Sequence, residues 1–579
     1  MSPYSSTPLR TNALTGAETI VAGLKRHGVT TVFSLAGSAN TYLLDAVERA
    51  GMSIVGGRHE TAVIGAAEGY ARTTGGLGVA CINEDQGVPS AISGIANAAH
   101  ALTPLVVIVC RLPGRWHDAQ SRYDHDTQSM FAGLAKWHRV VPAAERLAEF
   151  VDAACREAAS GRTGPVVLTI PRDFYRDQVP FDAVSNAPLA GRSLPQPDPG
   201  AVEAIARRLT AAQRPLILAG EGAVRSDAGP LLADIARQSN IPVVMDAQAR
   251  GLVPEDDVLG FNWGFAQLAL KHADAVLIVG ARLSAPLGFG LPPMFAADTW
   301  FGRVDAVAEE LDRPRPMHIA LQSDPAAFLA ALMTKNLGHR AGRAWLASIL
   351  AGRRAAVDNV IASHPAPLHP LRIFRTVQGH FSGDTVFAVD GGYPVAWSNL
   401  ALRPQRPRRF MDHYPLGQMG SSLTLALGAA AAMKEKAARG ETHVPVVLLT
   451  GDGAAGYYIT SLSEAVRAEL SLLVIVINDG AWASEVHSQV RDKVGRAINT
   501  TLGRQDFSLI AQGLGGLGVR VETDAAFAAA LHDLSSRSGV RLIDCIVQPD
   551  DALVIYDMPD LGMSYFHEMT ATGRGALHT

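Results

Sequence analysis

The sequence is short of cysteine, of net charge and of any apolar leader, and each shortage excludes a class of protein. Its four cysteines, Cys81, Cys110, Cys155 and Cys545, are scattered over 579 residues. That is too sparse for a disulfide framework or a metal cluster, and they read as reduced core thiols. A formal net charge of −4 leaves no basic footprint for nucleic acid or an anionic membrane. Residues 1–15 are polar and carry no apolar h-region, so no secretory leader is expected. One stretch, Gly87 to Cys110, lacks Asp, Glu, Lys and Arg and is long enough to span a bilayer. Pro89, Ser90, Asn97, His100 and Pro104 divide it into loop, helix and strand instead. The expectation is a cytoplasmic protein that enters no membrane and binds no nucleic acid.

What the sequence does have is hydrophobic residues, 48% of the chain, arranged in alternating strand-like and helix-like runs. Its length suits about three or four domains of roughly 150 residues each. Three blocks of alternating runs predict an α/β protein. The first has strands near Thr31–Leu35, Ser53–Gly57, Val79–Asn83, Leu105–Cys110 and Val166–Ile170, and ends at a Pro-rich linker, Pro188–Pro199. The second has strands at Pro215–Ala219, Pro242–Met245 and Ala275–Val279; a further linker, His364-Pro365-Ala366-Pro367, precedes the third.

The third block carries the most informative acids. Asp452, in Gly451-Asp452-Gly453, follows the apolar run Val444–Leu449, and Asp479 follows Leu472–Ile477. The segment between them reads as a helix, so both acids sit at the carboxyl ends of neighbouring parallel strands, where open α/β sheets bind ligands. Mg²⁺ takes hard oxygen ligands, usually one or two carboxylates with phosphate oxygens and water. The flanking glycines let backbone approach a phosphate, and a helix expected to begin near Tyr457 would offer free N–H groups. On spacing alone, two ordinary loop acids are an equal reading.

Gly451-Asp452-Gly453, Ala465-Val466-Arg467 and Asn478-Asp479 together resemble the thiamine-diphosphate signature of the acetolactate synthase and 2-oxo acid decarboxylase superfamily, which ends in Asn-Asn. The resemblance implies Asp452, Asp479 and the Ala481 carbonyl as metal ligands, with Gly451, Gly453 and Ala454 along the cofactor. Asp479 stands where the family has Asn; it keeps an oxygen ligand and adds a charge. Arg58-His59-Glu60, leading into Thr61–Arg72, is similar to the family's Arg-His-Glu element. An acid there by itself would be a helix cap. The resemblance implies instead that Glu60 is the catalytic carboxyl, bonded to N1′ of the aminopyrimidine so that N4′ can take the thiazolium C2 proton. Gly417-Gln418-Met419-Gly420 resembles Gly-Thr-Met-Gly, implying Met419 as the support under the bent cofactor with Gln418 beside it. Asp390-Gly391-Gly392-Tyr393 resembles the segment reaching the diphosphate, which implicates Gly391, Gly392 and Tyr393. Asp506-Phe507, with Leu509-Ile510-Ala511, matches a structural run.

The fold implied is three doubly wound parallel-sheet domains: pyrimidine-binding (10–185), central (200–350) and diphosphate-binding (366–560), with a tail at 561–579 that is either frayed or a lid. Thiamine diphosphate and Mg²⁺ are the implied cofactors. FAD, ADP or nothing in the central domain stays open, since Gly220-Glu221-Gly222 is a weak pattern. In the family, Glu from one subunit reaches the neighbour's cofactor, so a homodimer or homotetramer is expected. The candidates to face substrate are Gly37, Gln86, Tyr123, Trp482, Glu485 and His487, the last two as proton relays. The loop Asn83-Glu84-Asp85-Gln86 departs from the family, as does Tyr123-Asp124-His125-Asp126, and its polarity suggests an altered pocket. No adjacent His-His pair of the pyruvate decarboxylase kind occurs. The expected reaction makes or breaks a carbon–carbon bond beside a carbonyl, as in acetolactate synthase, on a 2-oxo acid or aldehyde. A 2-hydroxyacyl-CoA lyase or oxalyl-CoA decarboxylase is the alternative, in which Arg403, Arg406, Arg408 and Arg409 would meet coenzyme A phosphates rather than form a solvated loop. A non-catalytic paralogue is the third reading.

Overall fold

The computed structural model describes residues 12–116, 119, 126–181, 194–255, 260–338 and 344–548. It divides into two compact units, Met1–Ala71 with Gly76–Arg192, and Arg72–Gly75 with Ser193–Thr579. The expected tail, 561–579, lies outside the described residues, as do Tyr123, Asp124 and His125.

The first unit is built on a parallel sheet whose strands lie in the order Ser53–Gly56, Thr31–Ser34, Gly78–Asn83, Leu105–Arg111, Pro165–Pro171 and Trp137–Val140. Gly78–Asn83 and Pro165–Pro171 are buried at every position, as expected where helices cover both faces of a parallel sheet. Helix Gly16–Arg26 starts at a capping box: Glu18 N donates to Thr15 Oγ1 at 3.3 Å and Thr15 N donates to Glu18 Oε2 at 2.8 Å. The uncharged stretch resolves into helix Gly87–His100 and strand Leu105–Arg111; no helix among the described residues is long and apolar enough to cross a membrane. The four cysteines are unpaired and buried.

The second unit contains two more six-stranded parallel sheets. The central sheet runs Gly260–Asn262, Val243–Met245, Pro215–Ala219, Ala275–Val279, Trp300–Asp305, Ile319–Gln322; the third runs Phe410–Asp412, Val386–Val389, Val446–Gly451, Leu472–Asn478, Val540–Ile546, Leu517–Val521. One continuous core joins them: Leu216, Ile278 and Phe301 of the central sheet cluster with Phe387, Leu449 and Ile475 of the third. Helix Ala344–Ser363 contributes Leu346, Leu350, Val357 and Val360 to the same core, so position 350 falls inside a helix shared by both sheets. A buried ion pair reinforces the junction. Arg250 donates to both oxygens of Glu255 at 3.0 and 2.8 Å and to Leu402 O at 2.7 Å.

The winding of the third sheet determines where a ligand can sit. From Val386–Val389 the chain crosses to Phe410–Asp412 on one side; from Val446–Gly451 it proceeds to Leu472–Asn478 on the other. The crevice between the ends of those two adjacent strands is the topological switch point. Because the core is shared, Leu350→Ala is expected to cost about 2–5 kcal/mol and to lower hydrogen-exchange protection in the central and third sheets together. Loss confined to one sheet would show two independent cores.

Candidate functional site

Strand register brings the two acids together. Val389 pairs with Leu449, and Gly451 pairs with Ile477, so Asp452 and Asp479 emerge from adjacent strand ends. Gly451 is extended (φ −75°, ψ 158°), and the helix Asp452–Tyr458 starts directly after it. The helix expected near Tyr457 therefore begins five residues earlier, and Tyr457 is near its far end. An acid in the first turn is the arrangement the helix dipole favours. Gly480 N donates to Asp452 Oδ2 at 2.9 Å, and Ala481 N donates to Asp479 Oδ1 at 3.0 Å.

Both acids line one cleft that encloses about 530 Å³ of empty space, its open mouth included. Gly391, Gly392, Tyr393, Met419, Gly451, Gly453, Ala454, Ala481 and Trp482 share its walls, so most of the cofactor positions expected from sequence converge on it. At two of them a side chain would have to move to admit a Cβ. A Cβ on Gly453 would come 2.4 Å from the Trp482 ring, and one on Gly391 would come 2.4 Å from Met419 Sδ. Gln418 stands beside the cleft, donating to Tyr458 Oη at 3.5 Å. His487 is buried, its ring centroid 6.2 Å from that of Tyr393, whereas Glu485 is exposed.

Sequence reasoning missed Pro370, Trp397, Val547 and Gln548, which also line the cleft. Trp397 lies four residues after Tyr393 on helix Tyr393–Ala401, a spacing that would have found it. Val547 and Gln548 follow the strand Val540–Ile546, another strand end on the same edge.

The cleft suits a divalent cation bound together with an anion. Among the described residues no group of three or more Asp, Glu, His or Cys side chains could hold a metal. A cation between Asp452 and Asp479 would therefore draw further oxygens from backbone, phosphate or water, the coordination habit of Mg²⁺. Burial pushes Asp452 up to about 6 and Asp479 up to about 7, with the charge of Asp452 adding to the second shift.

The remaining candidates lie elsewhere. In the first unit Glu60 opens helix Glu60–Thr74 and is 5% exposed; its Oε1 would be 3.2 Å from a Cβ on Gly87. Gly37 lies against Asn83, whose Nδ2 would be 2.3 Å from a Cβ there, and Gln86 is exposed. Glu84 is turned inward, 3.1 Å from Arg111 Nε and accepting from Leu112 N at 3.2 Å. It therefore braces two strand ends, and the polarity read from its loop is in that respect structural. In the basic run, Arg406 pairs with Asp384 and Arg408 pairs with Asp227.

The central sheet has the same kind of switch point, and it is closed. Gly222 N donates to Gly280 O at 2.9 Å, and a Cβ on Gly220 would come 2.4 Å from Ala281 Cα. Glu221 opens the helix Glu221–Arg225 and pairs with Arg225, putting a carboxylate where a phosphate would dock. Asp246 is half-buried beside Gly220, and its removal from water pushes it up to about 7. Arg282 supplies an opposing charge to Asp246 at the same edge.

Residues 14–132 match the model of the thiamine pyrophosphate enzyme N-terminal TPP binding domain, 202–332 the central domain, and 390–545 the C-terminal TPP binding domain. Curated relatives include a probable acetolactate synthase of Mycobacterium bovis, 27% identical over 545 residues that cover 93% of this chain and 97% of the relative. The 2-hydroxyacyl-CoA lyase 2 of Danio rerio is 27% identical over 553 residues, covering 87% and 86%. The acetolactate synthase isozyme 1 large subunit of Escherichia coli is 25% identical over 557 residues, covering 94% and 96%.

The raised acids generate a pH dependence. A carboxyl whose folded pKa exceeds its unfolded value favours folding only while protonated, so this contribution is lost as pH rises from about 4 to about 7. A bound cation opposes that loss and must displace the protons. Divalent-cation affinity is therefore expected to fall about tenfold or more between pH 7.5 and 5.5, read by titration calorimetry; a flat profile would place the cation away from Asp452 and Asp479.

Proposed function

The chain belongs to the thiamine pyrophosphate enzymes, and from that premise we propose that it uses thiamine diphosphate with Mg²⁺ to make or break a carbon–carbon bond beside a carbonyl, as a carboligase or lyase of the acetolactate synthase kind acting on a 2-oxo acid. The observation that carries the reading is the convergence of Asp452, Asp479 and the glycine turns at 391–392 and 451–453 on one cleft at the switch point. Thiamine diphosphate, when bound, supplies a thiazolium carbon that adds to a substrate carbonyl once its proton is gone.

The residues divide the work. Asp452 and Asp479, with the Ala481 carbonyl, hold the metal, and Gly391, Gly392, Tyr393, Gly451, Gly453 and Ala454 accept the diphosphate close to backbone. Met419, with Gln418 beside it, supports the bent ring. Glu60 holds a proton at N1′ of the aminopyrimidine. As the resemblance implies, we assign the complete site to a homodimer or homotetramer, with Glu60 reaching the cofactor held by a neighbouring subunit. Trp482, Glu485 and His487 face the substrate side together with Gly37, Gln86 and Tyr123. The four buried, unpaired thiols support a cytoplasmic setting.

The relatives named 2-hydroxyacyl-CoA lyase, as similar to this chain as the synthases, favour a second reading on an acyl-CoA substrate. Incubating the protein, loaded with thiamine diphosphate and Mg²⁺, with panels of 2-oxo acids, aldehydes and 2-hydroxyacyl-CoAs, and reading products by mass spectrometry, separates the two. Turnover of acyl-CoA alone would overturn the first reading, and turnover of none of them would overturn both.

Glu60→Gln is expected to leave cofactor affinity nearly intact and to slow C2 proton exchange by about 10²-fold or more. Mixing Glu60→Gln with Asp452→Ala subunits should restore about a quarter of wild-type activity, since half of randomly mixed dimers are hybrids with one intact site. No restoration would mean that each site is built within a single chain.

A further inference from the structure

One buried carboxylate beside the cleft has no part in the metal pair. Asp390 follows strand Val386–Val389, is fully buried and does not line the cleft. Its Oδ1 accepts from Gly391 N at 2.7 Å and from Gly420 N at 3.0 Å, and its Oδ2 accepts from Ser422 N at 3.0 Å. The Ser422 hydroxyl donates to Val389 O at 2.8 Å, a second tie between the same segments. Burial pushes the acid up to about 6, with four backbone N–H groups, Leu423 included, working against it.

This carboxylate joins two turns, one at Gly391 and one at Met419. The Met419 turn is bounded by Gly417 at φ +83° and Gly420 at φ +80°, residues that give backbone many conformations and little stiffness of their own. Met419 packs closely on the other turn, its Sδ 2.4 Å from where a Cβ on Gly391 would lie. The same Oδ1 binds the N–H of Gly391 and that of Gly420, the neighbour of Met419. One oxygen atom thus bridges the two turns directly, and the Ser422 bonds reinforce it.

We propose that Asp390 is a positioning residue that clamps the Met419 turn onto the Gly391 turn and so fixes the height at which Met419 supports the cofactor ring. The role rests on the thiamine diphosphate reading of the cleft. A plain helix cap would stabilise the helix Ser421–Ala438 and do nothing further, and the two roles separate experimentally.

Asp390→Asn replaces one acceptor oxygen by an N–H₂ group facing backbone donors, which breaks part of the clamp. The expected result is thiamine diphosphate affinity close to wild type, by calorimetry in Mg²⁺, with C2 proton exchange slowed about tenfold to a hundredfold, the scale of a misplacement near 1 Å. In a cycle with Met419→Ala the two losses should not add, because both act through one contact; a cap alone would give additive losses. Ser422→Ala, which removes the second tie without stranding a charge, should slow exchange in the same direction by a smaller factor, and it decides the matter if Asp390→Asn does not fold. Wild-type exchange in Ser422→Ala, or additive losses in the cycle, would overturn the clamp. Failure of the wild-type protein to bind thiamine diphosphate would instead overturn the reading of the cleft.

Discussion

The site depends on the parallel register of the third sheet. Once Val389 lies beside Leu449 and Gly451 beside Ile477, the residues that follow each strand must emerge side by side at one edge. A one-residue slip would turn every strand side chain to the opposite face, and the apolar runs Val446–Leu449 and Leu472–Ile477, buried on both faces, tolerate no ragged ends in polar surroundings. The position of Asp452 relative to Asp479 is thus a consequence of hydrophobic packing several residues away. Chemistry enters only where the strands stop.

The first and third sheets share one strand order and the central sheet is wound in another, yet central and third sheets alike have a switch point, and local residues explain why the two differ. In the central sheet the glycines bring backbone against backbone, as Gly222 does with Gly280, and Glu221 and Asp246 crowd the remaining space with carboxylates. In the third sheet the glycines face an open cleft, with Trp482 and Met419 rather than backbone as their neighbours. The side chains next to the glycines decide whether the crevice opens. Glycine content alone does not make a phosphate site.

How much of this was legible in the sequence follows from the same physics. Pro215–Ala219 and Ala275–Val279 were readable to the residue because a strand buried on both faces is an unbroken apolar run. Strands such as Trp137–Val140 and Leu517–Val521 are largely unburied and leave no such run, so they were invisible. Asp452, Glu60 and Met419 were singled out through short motifs of fixed spacing, and Asp452 and Met419 line the cleft. Asp390 was quoted only as the first residue of a glycine motif, since its hydrogen bonds go to backbone N–H groups some thirty positions on, and backbone donors have no letter in a sequence. The inward turn of Glu84 was hidden for the complementary reason: an acid in a loop shows only as polarity, and its approach to Arg111 is what reveals that it is internal.

Asp479, where the related motif ends in a neutral Asn, raises the question of what offsets a second buried charge. Arg504 is the nearest answer: its Cγ would lie 3.0 Å from a Cβ on Gly480, and its charge pulls Asp479 down. That pull is outweighed, since burial and the neighbouring Asp452 still leave Asp479 at about 7. Part of the Arg504 guanidinium is also committed to Val547 O at 2.9 Å. Two acids with an incomplete counter-charge cannot both ionise cheaply in a shielded cleft, so a divalent cation, bound as proposed, would stabilise the doubly charged state. With only two carboxylates available, that cation needs oxygens from whatever anion shares the cleft. Metal and diphosphate should therefore stabilise one another's binding here more strongly than they would beside a single Asp, which makes the extra charge a source of coupling between the two.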